Sequence, residues 1–563
     1  MNKNVVKQRL TSLLIVLLAF AFHSTCSAAK VWKVPTDGYW RDGTNWSGNL
    51  PPDSTSFIDI TTNNGVTVTI DGLTDPATLT VQKLTLGAPP GATNTVFLSS
   101  VGTNNPLVFQ SGLELKDGAV IRITNSALLV SLTNNHVNID GALTLDSGSI
   151  TFEGGNTVTA RVGRVTSGTL TINAGTVSFG TVTVGGLTNS SGLVNMTGGA
   201  FNILSLLSIG RNLGTTGTVS VLGGQLAVLG EDTRVGDAGA GRLTVSNATA
   251  WLTNLYVGRD ALSAGILTLQ NGGSILLSND LSIARFSGST GTVFVTGGQL
   301  TAIGQKIYVG REGNGTMALS NGVVQAASLL IAANLTNSPT GNFVMAGGSL
   351  NLSSNLFVGS TGFSTGQLIL TGGTITLTNP AGTAVMSVGS GTVDCNAGTL
   401  RTDSLLLTNA ASQFHFRGGT LSTKSMTVAN GGAFIVGDGV DAAMLHMDGG
   451  THSFANGLII SSNATLNGCG TIIGTIINHG TIATNCGVVL VRPTITGLIK
   501  TGPTNVLSFT TMNGQTYTLE FKNALSDVNW TALPPPTNGN GSVLTLKDTS
   551  ANTASRFYHV RTQ

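Results

Sequence analysis

The chain has 563 residues; only 9% are charged and 5% aromatic, whereas 40% are hydrophobic and 76 are glycine. That apolar content excludes a disordered, highly charged chain, and the scarcity of aromatics means an interior of Val, Ile, Leu and Ala, side chains suited to a pleated sheet. Three of the 27 basic and none of the 25 acidic residues lie in residues 1–29, so the remainder has a formal charge of −1, which excludes the electrostatic footprint of nucleic-acid binding.

In chain order, Lys3, Lys7 and Arg9 precede an apolar run at residues 13–22, and "STCSAA" supplies small residues before a cut near Ala29. Residues 1–29 therefore read as a secretory signal peptide, its apolar run too short to span a bilayer. His23 stands where a lipoprotein signal carries an aliphatic residue, so Cys26 is not expected to be an anchor. After cleavage Cys395, Cys469 and Cys486 remain, and the last two are placed to pair in an oxidising compartment.

Residues 30–72 hold Trp32, Trp40 and Trp46, three of the five Trp residues. Large aromatics at the start of an aromatic-poor chain predict a β cap over the first open sheet edge. The competing expectation is a stacking platform for carbohydrate, which makes these three residues candidate binding residues.

Residues 73–492 are repetitive. "LLSIGRNLGTTGTVSVLGGQL", "LYVGRDALSAGILTLQNGGSI", "LSIARFSGSTGTVFVTGGQL" and "LFVGSTGFSTGQLILTGGTI" share one plan: a short apolar strand ending in a small residue, a polar turn, a second strand, a glycine corner and a third strand. The small residue recurs at Gly163, Gly185, Gly210, Gly236, Gly258, Ala284, Gly310, Ala332, Gly359 and Gly389, at intervals of 22 to 30 residues. Period-two alternation, as in Thr218-Val219-Ser220-Val221, marks half-buried strands, and units that cannot bury their apolar face alone must stack. The expectation is an all-β, three-sided parallel β-helix (β-solenoid) of about 16 or 17 coils, roughly 80 Å long at about 4.8 Å per coil.

Directly after the small residue come Arg164, Arg211, Asp237, Arg259, Arg285 and Arg311. Stacked in register, they form a partly basic stripe, so Arg211, Arg259, Arg285 and Arg311 are candidates for charge-assisted binding of an anionic polysaccharide. The plainer account is a row of solvated side chains on a corner. A composition break at "RPTITGLIKTGPTN" precedes residues 503–563, which read as five strands of a β-sandwich with Tyr517, Leu519, Phe521, Trp530, Phe557 and Tyr558 in its core.

Little in the chain points to catalysis. There is no phosphate-loop lysine motif, no GxSxG and no HExxH, and no carboxylate cluster recurs on neighbouring repeats. The richest stretch is "HFRGG…LHMDGGTHSF", where His446, Asp448 and His452 are weak metal candidates and His415 and Arg417 are candidate neighbours. "GDGVDA" at 437–442 matches one turn of a calcium-binding repeat without the second turn that would complete a ligand shell. No cofactor is expected.

The repeat unit, the opening "YWRDGTNWSGNLPP" and the run "VGDGVDAAMLHMDGGTHSFANGLIISSNATLNGCGTIIGTIINHGTI" together resemble the autotransporter-associated β-strand repeat proteins. The C-terminal "GQTYTLEFKNALSDVNWTAL…RFYHV" is similar to a small β domain that closes such chains. The resemblance implies a secreted or cell-surface, structural or adhesin-like protein; the arginine stripe and the Trp-rich start add extracellular polysaccharide or cell-surface glycans as expected partners. It departs from the family's self-secreting members in ending after a short domain rather than a long membrane barrel, and no transmembrane anchor is expected after signal cleavage. The alternative on the same scaffold is a polysaccharide lyase or glycoside hydrolase.

Overall fold

The structure, a computed structural model, describes residues 29–563 except 132–135, 154–157, 333–337, 361–363, 484–487, 492, 494, 512–515, 541, 552–554 and 563. The signal segment and Cys486 thus lie outside the described residues, apart from Ala29 at the expected cut. The chain is a parallel β-solenoid of about 18 turns, with 62% of residues in strands and 2% helical. It divides into two compact units, residues 1–181 and 182–563.

In the first unit the parallel pairing reaches back to the start of the described chain. Lys30–Val31 pairs with Phe57–Ile60, which pairs with Thr80–Leu86, and Thr67–Asp71 pairs with Asn94–Leu115. Residues 30–72 are therefore already wound into the first turns, which is one reason the turns outnumber the expected coils. Trp32, Trp40 and Trp46 form one edge-to-face cluster, with ring centroids 5.0 Å apart for Trp32–Trp46 and 5.2 Å for Trp40–Trp46. Each indole N–H donates to a carbonyl, that of Thr36, Thr78 or Trp40.

In the second unit successive strands fall into three stacks. Leu207–Ile209, Asp232–Val235, Asn254–Val257 and Leu281–Ile283 pair in the first stack. Thr216–Val221, Ala240–Ser246, Ala264–Gln270 and Thr290–Val295 form the second. Gln225–Val228, Thr249–Leu252, Ser274–Leu277 and the start of Gln299–Val309 form the third. Because side chains alternate across a strand, equivalent residues line up coil on coil. One inner ladder runs Val219, Leu243, Leu267, Val293, Met317, Phe343, all without solvent exposure. Burying each such side chain is worth about 1.5–3 kcal/mol, and this sum over neighbours holds the coils together.

Two glycines per coil make the close stacking possible. Gly258 takes a left-handed backbone (φ +74°), and a Cβ there would lie 2.0 Å from the Thr290 carbonyl oxygen of the next coil. Gly265 has an ordinary φ, but a Cβ on it would come within 2.2 Å of the Gly258 nitrogen and the Val235 oxygen. It belongs to an unbroken ladder of Gly217, Gly241, Gly265, Gly291, Gly315, Gly341 and Gly366.

Residues 495–562 fold differently, into two three-stranded antiparallel sheets. Thr504–Thr510 lies between Ile495–Thr501 and Val543–Asp548, and Thr516–Lys522 lies between Thr531–Asn538 and Phe557–Thr562. All five expected strands are present. The first strand, Ile495–Thr501, falls in the stretch expected to be a linker. Tyr517 and Leu519 are buried as expected, joined by Leu507 and Phe509, whereas Phe521 and Tyr558 are only part-buried and Trp530 and Phe557 each stay more than a third exposed. A polar network is also buried here: Asp548 accepts from Tyr558 at 2.6 Å and Arg556 at 2.5 Å.

Candidate functional site

The residues after the small corner residue do stack in the second unit. The amides of Arg211, Asp237, Arg259, Arg285 and Arg311 donate to the carbonyls of Gly185, Gly210, Gly236, Gly258 and Ala284, one coil back in each case. Arg164 lies in the first unit. The arginine side chains do not project freely; they fold across the outer face of the first stack. Arg259 bridges Asp237 at 3.2 Å and Asp260 at 2.7 Å. Arg285 lies over the Tyr256 ring at 4.2 Å and the Phe286 ring at 4.9 Å, and Arg311 over Tyr308 at 4.6 Å. Arg211 reaches the Thr183 hydroxyl, and Ser208 donates to Asp237.

Arg234 strengthens this corner in a way the spacing did not single out. It sits mid-strand between Ser208 and Tyr256 and pairs with Asp232 at 3.1 Å and Asp237 at 3.5 Å. Burial opposes its charge, but these two carboxylates hold its pKa above the ordinary arginine value. Asp232, Asp237 and Asp260 thus pair with Arg234 and Arg259, while Arg285 and Arg311 lie over aromatic rings, and the corner is a cross-coil clasp more than an open basic strip.

The three N-terminal tryptophans are 1%, 0% and 0% exposed, so no ring face is open to a sugar and they leave the set of binding candidates. The physical reason is mutual: three indoles in contact bury more apolar area together than each gains by facing water. Trp251 is the opposite case, an outward strand residue 46% exposed. Sequence reasoning missed it, although its even-phase position between buried Ala250 and Leu252 marks it as outward.

The histidine-rich stretch separates into two clusters. His446 Nε2 is 3.0 Å from Asp448, its Nδ1 is 2.6 Å from the Asn467 amide oxygen, and Ser422 donates to Asp448 at 2.6 Å. His452 does not join them. Its strand position lies between Met426 and Ile472 in an inner ladder, fully buried, with Nε2 donating to the Gly449 carbonyl at 2.9 Å. Burial pushes its imidazole below the ordinary histidine value, against the Gly449 hydrogen bond and the Asp448 charge. Among the described residues no three His, Cys, Asp or Glu side chains are placed to hold a metal ion.

His415 belongs to the other cluster, on a strand that pairs with Thr392–Cys395 rather than with the strand of His446. Its Nδ1 lies 2.9 Å from Asp394, which Arg417 also contacts at 2.8 Å. Burial alone would raise Asp394, but hydrogen bonds from His415 and Arg417 hold it below the usual carboxylate range. The pair opens on a cavity of about 490 Å³ lined in part by Phe414, Asn430, Ile435 and Asp438. Asp394 was not among the expected residues; a lone carboxylate 21 positions earlier is recognisable only once coil register is known.

Cys395 lies in an inner ladder between Leu370 and Phe416, and burial pushes its thiol up to about 12, which makes it unreactive. Cys469 is disulfide-bonded; its expected partner Cys486 is outside the described residues. No described helix is long and apolar enough to cross a membrane. The chain matches no known protein family, no curated protein and no solved structure.

Proposed function

We propose that the chain is an exported, non-catalytic structural or adhesin-like solenoid that binds extracellular polysaccharide at the cell surface. The observation that carries this reading is the in-register repetition of outward side chains over consecutive coils, which offers a repeating polymer a repeating partner. Weak contacts at each coil add up when the ligand is itself a chain. Three strands per turn support a three-sided coil, and the buried tryptophan cluster beside the first turns supports an N-terminal cap. Two small antiparallel sheets with buried Leu507, Phe509, Tyr517 and Leu519 support a C-terminal β-sandwich. The signal-like residues 1–29 and the resemblance to autotransporter-associated repeats support export and an adhesin-like role.

The test is retention of the intact protein in native gels cast with acidic and neutral polysaccharides, followed by sizing of the polymer. Retention without shortening of the polymer is expected; shortening would overturn the non-catalytic reading.

A second reading, polysaccharide lyase or glycoside hydrolase, is favoured by one site. His415, oriented through Nδ1 by Asp394 and set beside Arg417 in a cavity, has the elements of a proton-transfer pair next to a cation. If it is correct, polymer shortening is lost in His415→Ala and Asp394→Asn while both variants melt as the parent does.

A further inference from the structure

The outer face of the third stack differs from the arginine corner. Residues 225–229, 249–253, 274–278 and 299–303 include no charged side chain. One outward row is Gln225, Thr249, Ser274 and Gln299, and the next is Ala227, itself covered, then Trp251, Leu276 and Thr301, each in parallel register. Trp251 and Leu276 stand at 46% and 40% exposed, with Leu229 exposed just beyond its strand end and Ile303 exposed within Gln299–Val309. Between Leu229, Trp251 and Leu276 lies a shallow groove of about 390 Å³ floored by Leu252 and Leu277.

We propose that this face binds an uncharged polysaccharide chain laid across the coils, with Trp251 stacking on a sugar ring. The inference rests on the polysaccharide-binding reading and names its site and ligand class. Three features select that ligand. A face without charge offers nothing to a polyanion, whose desolvation would go uncompensated. A sugar ring is amphipathic, apolar across its C–H face and hydroxylated at its rim; it matches an exposed indole beside a row of amides and hydroxyls. The apolar strip is about one side chain wide and crosses several coils, which suits a linear polymer, whereas a stable protein partner needs roughly 800 Å² of its surface covered. The paired strands fix the backbone positions from which these side chains project before binding, so no segment has to fold to form the site.

The experiment compares the full chain with Trp251→Ala, Trp251→Phe and the double variant Arg285→Ala/Arg311→Ala. All are run in native gels containing an uncharged glucan, xylan or mannan, or alginate or polygalacturonate, with melting curves and light scattering alongside. The expected result is retardation by at least one uncharged polymer, weakened about tenfold in Trp251→Ala. Trp251→Phe should keep much of it, and the arginine double variant all of it. Should Trp251→Ala fail to fold, the Phe variant decides, since full loss in a folded Phe protein contradicts simple stacking. Unchanged binding in Trp251→Ala, or retardation by the polyanions only, overturns the inference; if the arginine variant then loses binding, the polysaccharide reading survives without this site. A dimer that Trp251→Ala converts to monomer also overturns it, because the strip would then serve a second copy. Absence of retardation by any polymer overturns both.

Discussion

Between Leu207 and Ile331 the charged side chains lie outside the sheet, where Arg259 clasps two aspartates and Arg285 covers Tyr256, while the inner ladders are chiefly Val, Leu and Ile, with Ala250, Met317 and Thr233 among them. Between Ile495 and Thr562 the interior is mixed: the Asp548 and Arg556 side chains are buried alongside Leu507, Phe509, Tyr517 and Leu519, while Trp530 and Phe557 stay more than a third exposed. A coil that repeats has a neighbour above and below to bury its apolar row against, so its charges can be confined to a corner. Two small sheets have no such neighbours and enclose too little apolar area, and a satisfied polar network specifies how their strands meet.

The largest effect that would sharpen this contrast is expected from Arg556→Ala. Leaving Asp548 buried without its partner should cost about 3–5 kcal/mol and unfold the C-terminal sheets alone. Hydrogen exchange should then show protection lost over 495–562 and kept in the coils; loss throughout would mean that the two regions fold as one. Acid tests the same network. Burial opposes the Asp548 carboxylate, but hydrogen bonds from Tyr558, Arg556 and Ser550 bring its pKa down to about 2. The stabilisation is therefore full above the unfolded value near ~4 and is lost as pH falls towards 2, about 2 kcal/mol in all.

Next in size, Gly265→Ala should destabilise by about 1–3 kcal/mol, since its Cβ meets backbone rather than a movable side chain. Protection should fall around coils 235–295 and leave the C-terminal sheets untouched, which proteolysis with mass mapping can read. His452 is the exception that probes the inner ladder. Because burial lowers its pKa, the unfolded chain takes up the proton first, and stability declines as pH drops below the unfolded value near ~6.5, by up to about 1.4 kcal/mol per pH unit. His452→Leu should flatten that slope in a pH series of denaturant melts; an unchanged slope would place the titration elsewhere. The smallest effect is expected from Arg285→Ala, no more than about 1 kcal/mol, because only part-buried stacking contacts over Tyr256 and Phe286 are lost.

Several sites were only half legible. The positions of Arg211, Arg259, Arg285 and Arg311 in successive repeats were readable from spacing, but the pairing of Arg259 with Asp237 and Asp260 and the folding of Arg285 and Arg311 over aromatic rings were not, because which way a long side chain folds depends on the coil beside it. The tryptophans misled for the same reason: aromatic content alone does not distinguish a cluster closed on itself from an open platform. Trp251 and Asp394 needed register. Each gains its meaning from a residue some 20 to 25 positions away that pairing places alongside.

By itself the sequence determined the solenoid: alternation chose strands, recurring glycines set the corners, and repeated apolar rows required stacking because no single unit can bury its own. Tertiary structure alone decided where chemistry could reside. Only when the coils are in register do Asp394 and His415 meet, does His452 point inward while His446 faces out, and does one uncharged face with Trp251 separate from a corner of paired charges. Those distinctions rest on contacts between coils, and side-chain direction across a stack is a property of the stack.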